Sequence, residues 1–373
     1  MKICKQITLP RILSVISIIF LASCMATPDI HVKSSDMSIA IKKESPAVLR
    51  VAVSPDGKFI LSGSLDSTFR LWDISAGREI RRFVVNPVNT NMGQGVQVAF
   101  FPDGRHAISA GADNMKIWDI STGSEVSSFD IGSLYVPGIS MSVDGRYVVM
   151  PRSLFVRKLY LLDIGPDKAI KLKKSIGFFN SDPESAAISP DGKYVLAGSG
   201  NGKIVLWDIA KEEVTRKIKA GSFVSVILSL AFSPDGKYAL SGGTDNTVKY
   251  WDVFSGKKIK SLEGHTRDVY SVAFSPDGKL GLSGSCDALI KLWDLTAGTE
   301  LKTFSGHTSA GLSCVTSVQF TPDGRHIVSG GDASVRIWDV ATGEEIDTMI
   351  GFEDGECIVL TTEGYYNSSE KGA

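Results

Sequence analysis

The sequence predicts an all-β protein, namely a seven-bladed β-propeller built from four-stranded antiparallel blades. Three observations predict it: a Pro-Asp-Gly type of turn recurs seven times, a Trp-Asp pair recurs in step with the turn, and successive pairs lie 42–46 residues apart. A period of this length with four short strands per unit is typical of propeller blades. Because a single blade cannot bury both of its faces, the units are expected to stack in a ring.

The recurrent turn follows the pattern Ser-Pro-Asp-Gly. Pro presets φ at the second position, Asp tolerates the third, and Gly adopts the left-handed conformation at the fourth. Each copy stands between two β-rich runs, which predicts a hairpin. The seven copies begin at Ser54, Phe101, Ser142, Ser189, Ser233, Ser275 and Thr321.

The Trp-Asp pair marks the third strand of each unit. All six tryptophans of the chain occupy this one position, and Leu162 holds the seventh place. In the sixth unit the predicted strands are Val269–Phe274, Leu280–Ser283, Leu289–Trp293 and Glu300–Phe304.

The predicted propeller covers residues 38–350, followed by a tail at 351–373 that packs on the ring. Ser38–Lys42 and Glu345–Ile350 both fit the fourth-strand position, so which of them completes the last blade stays open. The predicted fourth strands are dense in Lys and Arg, which we interpret as protection of exposed strand edges. The alternative is a basic rim that touches anionic lipid head groups.

The N-terminal segment has the features of an export signal. Lys2, Lys5 and Arg11 precede an apolar run of 11 residues, Ile12 to Ala22. That length fits the core of a signal peptide at residues 1–23 and falls short of the roughly 20 residues that span a bilayer. A short membrane-spanning anchor is the alternative.

The end of this segment, Leu21-Ala22-Ser23-Cys24, resembles a bacterial lipobox. The resemblance implies that Cys24 is lipidated and becomes the first residue of a mature lipoprotein. An ordinary signal peptide, cut nearby, is the alternative. Residues 24–37 then form a tether. Met25 stands where an Asp would resemble an inner-membrane retention signal, so we expect the outer membrane, facing the periplasm.

The repeats resemble those of the WD-repeat family over about residues 38–350. Gly264-His265 and Gly306-His307 resemble the Gly-His element of that family. The resemblance implies a hydrogen-bonded set of His, Ser, Asp and Trp in the two last blades, at His265, Ser283, Asp287 and Trp293, and at His307, Ser329, Asp332 and Trp338. Blades 1, 2 and 5 keep Ser, Asp and Trp without the His, and blade 4 has Ala197 in place of the Ser.

An Asp–His–Ser set also looks like a hydrolase triad. Here it occurs twice, beside a Trp, without a nucleophile elbow, so we expect a structural set and no enzyme activity. The histidines show no metal-binding spacing, and no phosphate-binding loop is found, so no metal and no cofactor is expected. A net charge of −1 argues against nucleic acid as a partner. A small-ligand binder or hydrolase that uses the central channel remains the alternative.

The function predicted is a protein–protein interaction scaffold whose partners are unidentified envelope proteins. In WD repeats the residue before the turn Asp often faces a partner. The resemblance therefore implies Leu65, Ala112, Thr244 and Cys286, with Arg267, Asp268 and Tyr270 on the adjacent connection.

The resemblance also places the loops of Cys286 and Cys314 on one face of the ring, which allows a disulfide in an oxidising compartment. Blade 3 departs most from the pattern, with Val143 in its turn, Leu162 for Trp, and Pro151 in its second strand. Two interpretations stay open there: sequence drift that keeps the blade, or a modified blade that shapes a partner site.

Overall fold

The computed structural model describes residues 46–85, 95–111, 113–132, 136–152, 157–177, 181–221, 225–308, 314–352, 357–361 and 366–368. These residues form thirty strands, and no helix occurs among them. The predicted all-β fold class is therefore confirmed, as are seven antiparallel blades. Across the same ranges there is no helix long and apolar enough to cross a membrane.

The first four blades are regular meanders. Blade 1 contains β1 (Val48–Val53), β2 (Phe59–Ser64), β3 (Thr68–Asp73) and β4 (Arg78–Val84). Blade 2 contains β5 (Gln97–Phe100), β6 (His106–Ala110), β7 (Asn114–Asp119) and β8 (Glu125–Asp130). Blade 3 contains β9 (Ser140–Met141), β10 (Tyr147–Arg152), β11 (Lys158–Ile164) and β12 (Ile170–Ile176). Blade 4 contains β13 (Pro183–Ile188), β14 (Tyr194–Ser199), β15 (Lys203–Asp208) and β16 (Glu213–Lys219).

The last three blades follow the same plan, with an addition at the end. Blade 5 contains β17 (Ile227–Phe232), β18 (Tyr238–Gly243), β19 (Val248–Asp252) and β20 (Lys258–Leu262). Blade 6 contains β21 (Val269–Phe274), β22 (Leu280–Ser285), β23 (Leu289–Asp294) and β24 (Thr299–Ser305). Blade 7 contains β25 (Val315–Phe320), β26 (His326–Gly331), β27 (Ser334–Asp339) and β28 (Glu345–Gly351), and its sheet continues into β29 (Cys357–Thr361) and β30 (Tyr366–Ser368).

Because each blade is an antiparallel meander, its turns alternate between two faces of the ring. We call upper the face that carries the turns between second and third strands and the connections between blades. The lower face carries the Ser-Pro-Asp-Gly turns and the turns between third and fourth strands. The fourth strands form the rim.

The hydrophobic core consists of seven clusters, one between each pair of adjacent blades. Each cluster contains the third-strand Trp of one blade packed on the preceding blade, and Leu162 takes this place in blade 3. Phe69 and Phe83 of blade 1, for example, contact the edge of Trp118 from blade 2. The recurrent Trp is therefore the residue that joins neighbouring blades.

The recurrent turn also joins blades. Gly57 has φ of 73°, and a Cβ there would lie 3.5 Å from Pro322 of blade 7. The same contact of a turn Gly with the Pro of the preceding blade recurs at Gly145–Pro102, Gly236–Pro190, Gly278–Pro234 and Gly324–Pro276. The turn thus forms its hairpin and at the same time packs on its neighbour at the lower face.

Serines of the inner strands add hydrogen bonds between blades. The backbone N–H of Val272 donates to Ser229 Oγ at 3.1 Å, and that of Val318 donates to Ser271 Oγ at 3.0 Å. The N–H of Val51 donates to Ser317 Oγ at 3.1 Å, which joins blade 1 to blade 7. This last bond closes the ring.

The rim strands carry a β-bulge opposite the Trp position. In blade 1, Trp72 pairs with Glu79 and Leu71 with Arg81, so that Ile80 is the extra residue. A register shift occurs at the corresponding place in the other six blades. Bulges twist an edge strand and hinder its pairing with another chain, which accords with edge protection.

The tail completes the seam between blades 7 and 1. β28 provides the fourth strand of blade 7, and β29 pairs with its outer edge, whereas Ser38–Lys42 lies outside the described residues. Cys357 and Val359 of β29 are buried in one cluster with Trp72 of blade 1. The propeller boundary expected at residue 350 falls within β28, and the tail continues its sheet.

Val359→Ala is expected to destabilise the ring by about 2 kcal/mol, because it opens a cavity at the closing seam. Val359 is 2% exposed, whereas Val84 on the rim is 50% exposed. Val84→Ala is therefore the matched control, with an expected change within about 0.5 kcal/mol. Urea denaturation of both variants tests this, and equal effects would show that β29 contributes nothing to closure.

Candidate functional site

In blade 6 the four residues of the implied set form one hydrogen-bonded chain. Trp293 Nε1 donates to Ser283 Oγ at 2.8 Å, and His265 lies 2.8 Å from both Ser283 Oγ and Asp287 Oδ2. An ionised carboxylate only accepts hydrogen bonds, so His265 donates a hydrogen bond from Nδ1 to Asp287. Its Nε2 then accepts a hydrogen bond from the Ser283 hydroxyl. Every polar group of the set therefore has a partner.

The electrostatics agree with an ionised Asp287. Burial alone would raise the pKa of Asp287, but the hydrogen bonds from His265 and from the backbone N–H of Thr266 hold it below its usual range. The carboxylate thus ties the connection before β21 to the turn between β22 and β23.

Blade 7 repeats this arrangement. Trp338 Nε1 donates to Ser329 Oγ at 2.9 Å, and His307 lies 2.8 Å from Ser329 Oγ and 3.1 Å from Asp332 Oδ1. Burial would again raise the pKa of Asp332, but His307, Arg336 and Ser334 together lower it.

The geometry gives these sets a structural role. The side chains of His265 and His307 are each 1% exposed, and Ser283 and Ser329 are fully buried. Each serine hydroxyl is engaged by a Trp and a His, so no substrate can reach it in the folded ring. A hydrolase triad requires an accessible nucleophile, which these sets do not offer.

Blades 1, 2 and 5, which lack the His, keep the bond between Trp and Ser. Its length is 2.8 Å for Trp72 to Ser62 and for Trp118 to Ser109, and 2.9 Å for Trp251 to Ser241. In blade 5 the turn Asp245 pairs with Lys249 of the third strand instead. In blade 1, Asp66 lies 3.9 Å from Arg70 and 3.6 Å from Arg82. A cation from the sheet therefore neutralises the turn Asp in these two blades.

A recurrent ion pair between third and fourth strands was not predicted from the sequence. The pairs are Arg70–Glu79 at 3.2 Å, Lys116–Glu125 at 2.8 Å, Lys291–Glu300 at 2.7 Å and Arg336–Glu345 at 2.6 Å. Their signal was present in the sequence, as a base two residues before the Trp and a Glu seven residues after it. In blade 1 the pair is buried. Burial raises the pKa of Glu79 to about 7, and it outweighs the charge of Arg70, which acts to lower that pKa.

The upper face of blades 5 and 6 is held by hydrogen bonds. Cys286 N donates to Asp268 O at 3.0 Å, Ser285 Oγ donates to Arg267 O at 3.0 Å, and Asn246 Nδ2 donates to Thr266 O at 3.3 Å. The connection at 264–268 is thereby fixed to the turns of both blades. Its backbone positions the neighbouring side chains for contact.

The predicted contact residues differ in how much they expose. Leu65 is 39% exposed and Tyr270 is 37% exposed, and Arg267 is also exposed. Asp268, Thr244 and Cys286 are half-buried, and Thr244 accepts a hydrogen bond from Val226 N. Ala112 and the predicted lipidation site Cys24 lie outside the described residues.

The structure joins Cys286 and Cys314 by a disulfide. The bond links the turn after β22 to the connection that leads into blade 7. It lies beside the second hydrogen-bonded set. Cys314 O and His307 Nδ1 both border the space that a Cβ on Gly331 would occupy, so the two residues are close neighbours. The disulfide therefore braces the same upper face that carries Arg267 and Tyr270.

The channel alternative gains no support from the inner strands. Their serines bond to the backbone of neighbouring blades, as described for Ser229, Ser271 and Ser317. No group of three or more His, Cys, Asp or Glu residues suited to a metal ion occurs within the described ranges. A surface pocket of about 630 Å³ lies on blade 3 between Asp144 and Lys171, away from both hydrogen-bonded sets.

Comparison with known proteins agrees with this architecture. The family profile described as "WD domain, G-beta repeat" matches residues 39–73, 175–208, 216–252, 256–294 and 298–339, about half of the chain. This chain belongs to the WD40 repeat family. The matched WD40 segments leave out residues 74–174, where blades 2 and 3 lie. WD40 propellers are usually non-catalytic.

A curated relative of this WD40 protein is "Protein ANTHESIS POMOTING FACTOR 1" of Arabidopsis thaliana. The two are 29% identical over 184 residues, which is 47% of this chain and 52% of the relative. The similarity thus extends over about half the length of each protein.

Ser283→Ala is expected to destabilise the propeller by about 2–4 kcal/mol, because it leaves the Trp293 N–H and His265 Nε2 buried without partners. Ser62→Ala removes the partner of Trp72 alone, so its expected cost is smaller, at about 1–3 kcal/mol. Urea denaturation of the two variants measures the difference. Equal costs would mean that the His adds nothing to the set.

Proposed function

We propose that this chain is a non-catalytic protein-interaction scaffold, exported and held at the cell envelope by a lipid on Cys24. WD40 propellers generally serve as protein-interaction scaffolds. The observation that carries the proposal is the upper face of blades 5 and 6, where Arg267 on the hydrogen-bonded connection and Tyr270 near the start of β21 are exposed to solvent.

The chemistry of this face suits a protein partner. Tyr and Arg are, with Trp, the side chains enriched among the residues that dominate binding energy at interfaces. Burial and the nearby Asp268 raise the pKa of Tyr270, so its phenol stays neutral and available to donate a hydrogen bond. A surface that is already rigid loses little conformational entropy on binding. Leu65 adds an exposed apolar side chain on the upper face of blade 1.

The disulfide supports the exported location. Disulfides persist in oxidising compartments and are rare in the cytosol. A bond between Cys286 and Cys314 accords with a signal peptide at residues 1–23 and a lipidated Cys24. On this proposal the partners are envelope proteins, and the outer membrane facing the periplasm is the expected site.

A photo-reactive amino acid placed at Tyr270 or Leu65 is expected to crosslink a specific partner in intact cells, because both side chains are exposed on the upper face. Val143 on the lower face is 66% exposed and provides the control position. Gel analysis of the crosslinked products, followed by mass spectrometry, identifies the partner. Crosslinking that is as strong from Val143 as from Tyr270 would refute this site.

The envelope proposal predicts the mass of the intact protein purified from membranes of its own cells. The chain should begin at Cys24, carry acyl chains there, and have two hydrogen atoms fewer than its reduced form. Cys24→Ser should abolish the acyl mass. A chain that retains Met1 without acyl groups would exclude the lipid anchor.

A further inference from the structure

The rim of the propeller is electrically uneven. The rim strand β12 carries three lysines and no acid, and β20 carries two lysines and no acid. Between them, β16 carries Arg216, Lys217 and Lys219 against Glu213. The rim strands β8 and β28 each carry two acids and no base. We call the surface formed by β12, β16 and β20, with the adjoining Lys257, the basic rim.

Elsewhere on the rim, β4 also carries three arginines against Glu79, and two of them, Arg81 and Arg82, make contacts within the ring. Arg81 donates to Ser121 O of blade 2 at 3.2 Å, and Lys302 donates to Ala341 O of blade 7. Lys174 of β12 also has such a role, because it pairs with Glu212 of blade 4. These residues are accounted for by the packing of the ring.

The remaining cations of the basic rim are not neutralised. Lys171, Lys217, Lys219 and Lys257 are exposed, and none has an acidic partner within the part of the chain that the structure describes. Lys219 lies directly opposite Lys203 in the β15–β16 pair, and like charges at such positions are destabilising. Edge protection is already provided by the bulges, so it does not account for this accumulation of charge.

We propose that the basic rim docks on an anionic lipid surface, with its lysines on the phosphates of the head groups. Lysines near a membrane are attracted to anionic lipid, and their alkyl stems can lie along the interface. Leu172 and Ile259 are 43% and 40% exposed between these lysines, which suits a boundary between polar and apolar layers. The positive charge of the basic rim complements the negative charge of anionic head groups, and for this reason we assign the surface to lipid.

The curvature of the ring predicts where contact is closest. Three consecutive blades of seven occupy less than half of the circle, and a flat bilayer touches a convex rim at its middle. Blade 4, with Lys217 and Lys219, is therefore nearest to the lipid. This orientation places the upper face at right angles to the membrane, so that Arg267 and Tyr270 remain open to a protein partner. The inference goes beyond the scaffold role and is independent of the lipid on Cys24.

Vesicle sedimentation tests the proposal with the mature chain, residues 24–373, carrying Cys24→Ser, which removes the apolar signal peptide and the acylation from every sample. The probes are phosphatidylcholine vesicles with and without phosphatidylglycerol. The parent chain should bind the anionic vesicles more strongly. Combined Lys171→Gln, Lys217→Gln, Lys219→Gln and Lys257→Gln should weaken that binding by about tenfold or more, because each lysine near anionic lipid contributes several-fold.

The matched control removes the same charge from the lower face, by Lys58→Gln, Lys193→Gln, Lys237→Gln and Lys279→Gln. Each of these lysines lies 3.3–3.8 Å from the Asp of its own turn. This variant should bind anionic vesicles as the parent does. Equal loss in both variants, or equal binding of the parent to neutral and anionic vesicles, overturns the proposal. Rim-dependent binding of duplex DNA without vesicle binding also overturns it and assigns the surface to nucleic acid.

Discussion

Each blade of this protein can bury its two faces only against its neighbours, and the other features of the ring depend on that constraint. The core is accordingly divided into seven clusters at seven seams, each with a Trp or Leu162 from one blade seated on the blade before it. A seam left open would expose two apolar faces at once. Closure between the first and last blades is therefore as important as the packing within any blade.

The closing seam uses the same contacts as the other seams and adds one. Gly57 lies on Pro322 and Val51 donates to Ser317, as in equivalent pairs around the ring. The addition is β29, which pairs with β28 and places Val359 against Gly77 of blade 1. Blade 1 and blade 7 are far apart in sequence, so their association costs the most chain entropy. An extra strand at this seam offsets that cost.

Burying a Trp at six of the seven seams imposes a polar requirement, because its indole N–H needs an acceptor. A Ser supplies it in five blades, and in blades 6 and 7 a His and an Asp extend the bond to the upper face. The His, Ser and Asp groups that resemble a catalytic triad are thus engaged in hydrogen bonds that support the packing of the Trp. The surfaces that we propose for partners are the upper face with Arg267 and Tyr270 and the part of the rim on blades 3 to 5 that carries lysines without an acidic partner.

The sequence by itself determined the number of blades and the four-stranded plan that they share, because the Trp-Asp pair and the Pro-Asp-Gly turn are local signals that repeat in register. It also placed the two hydrogen-bonded sets through the Gly-His elements. Only the tertiary structure decided that β28 completes blade 7 and that the tail adds β29 at the seam, since strand pairing across distant segments has no local signature. The same reason applies to the rim. Sequence shows that the fourth strands are rich in lysine, but which lysines are used between blades and which face solvent depends on neighbours that only the closed ring brings together.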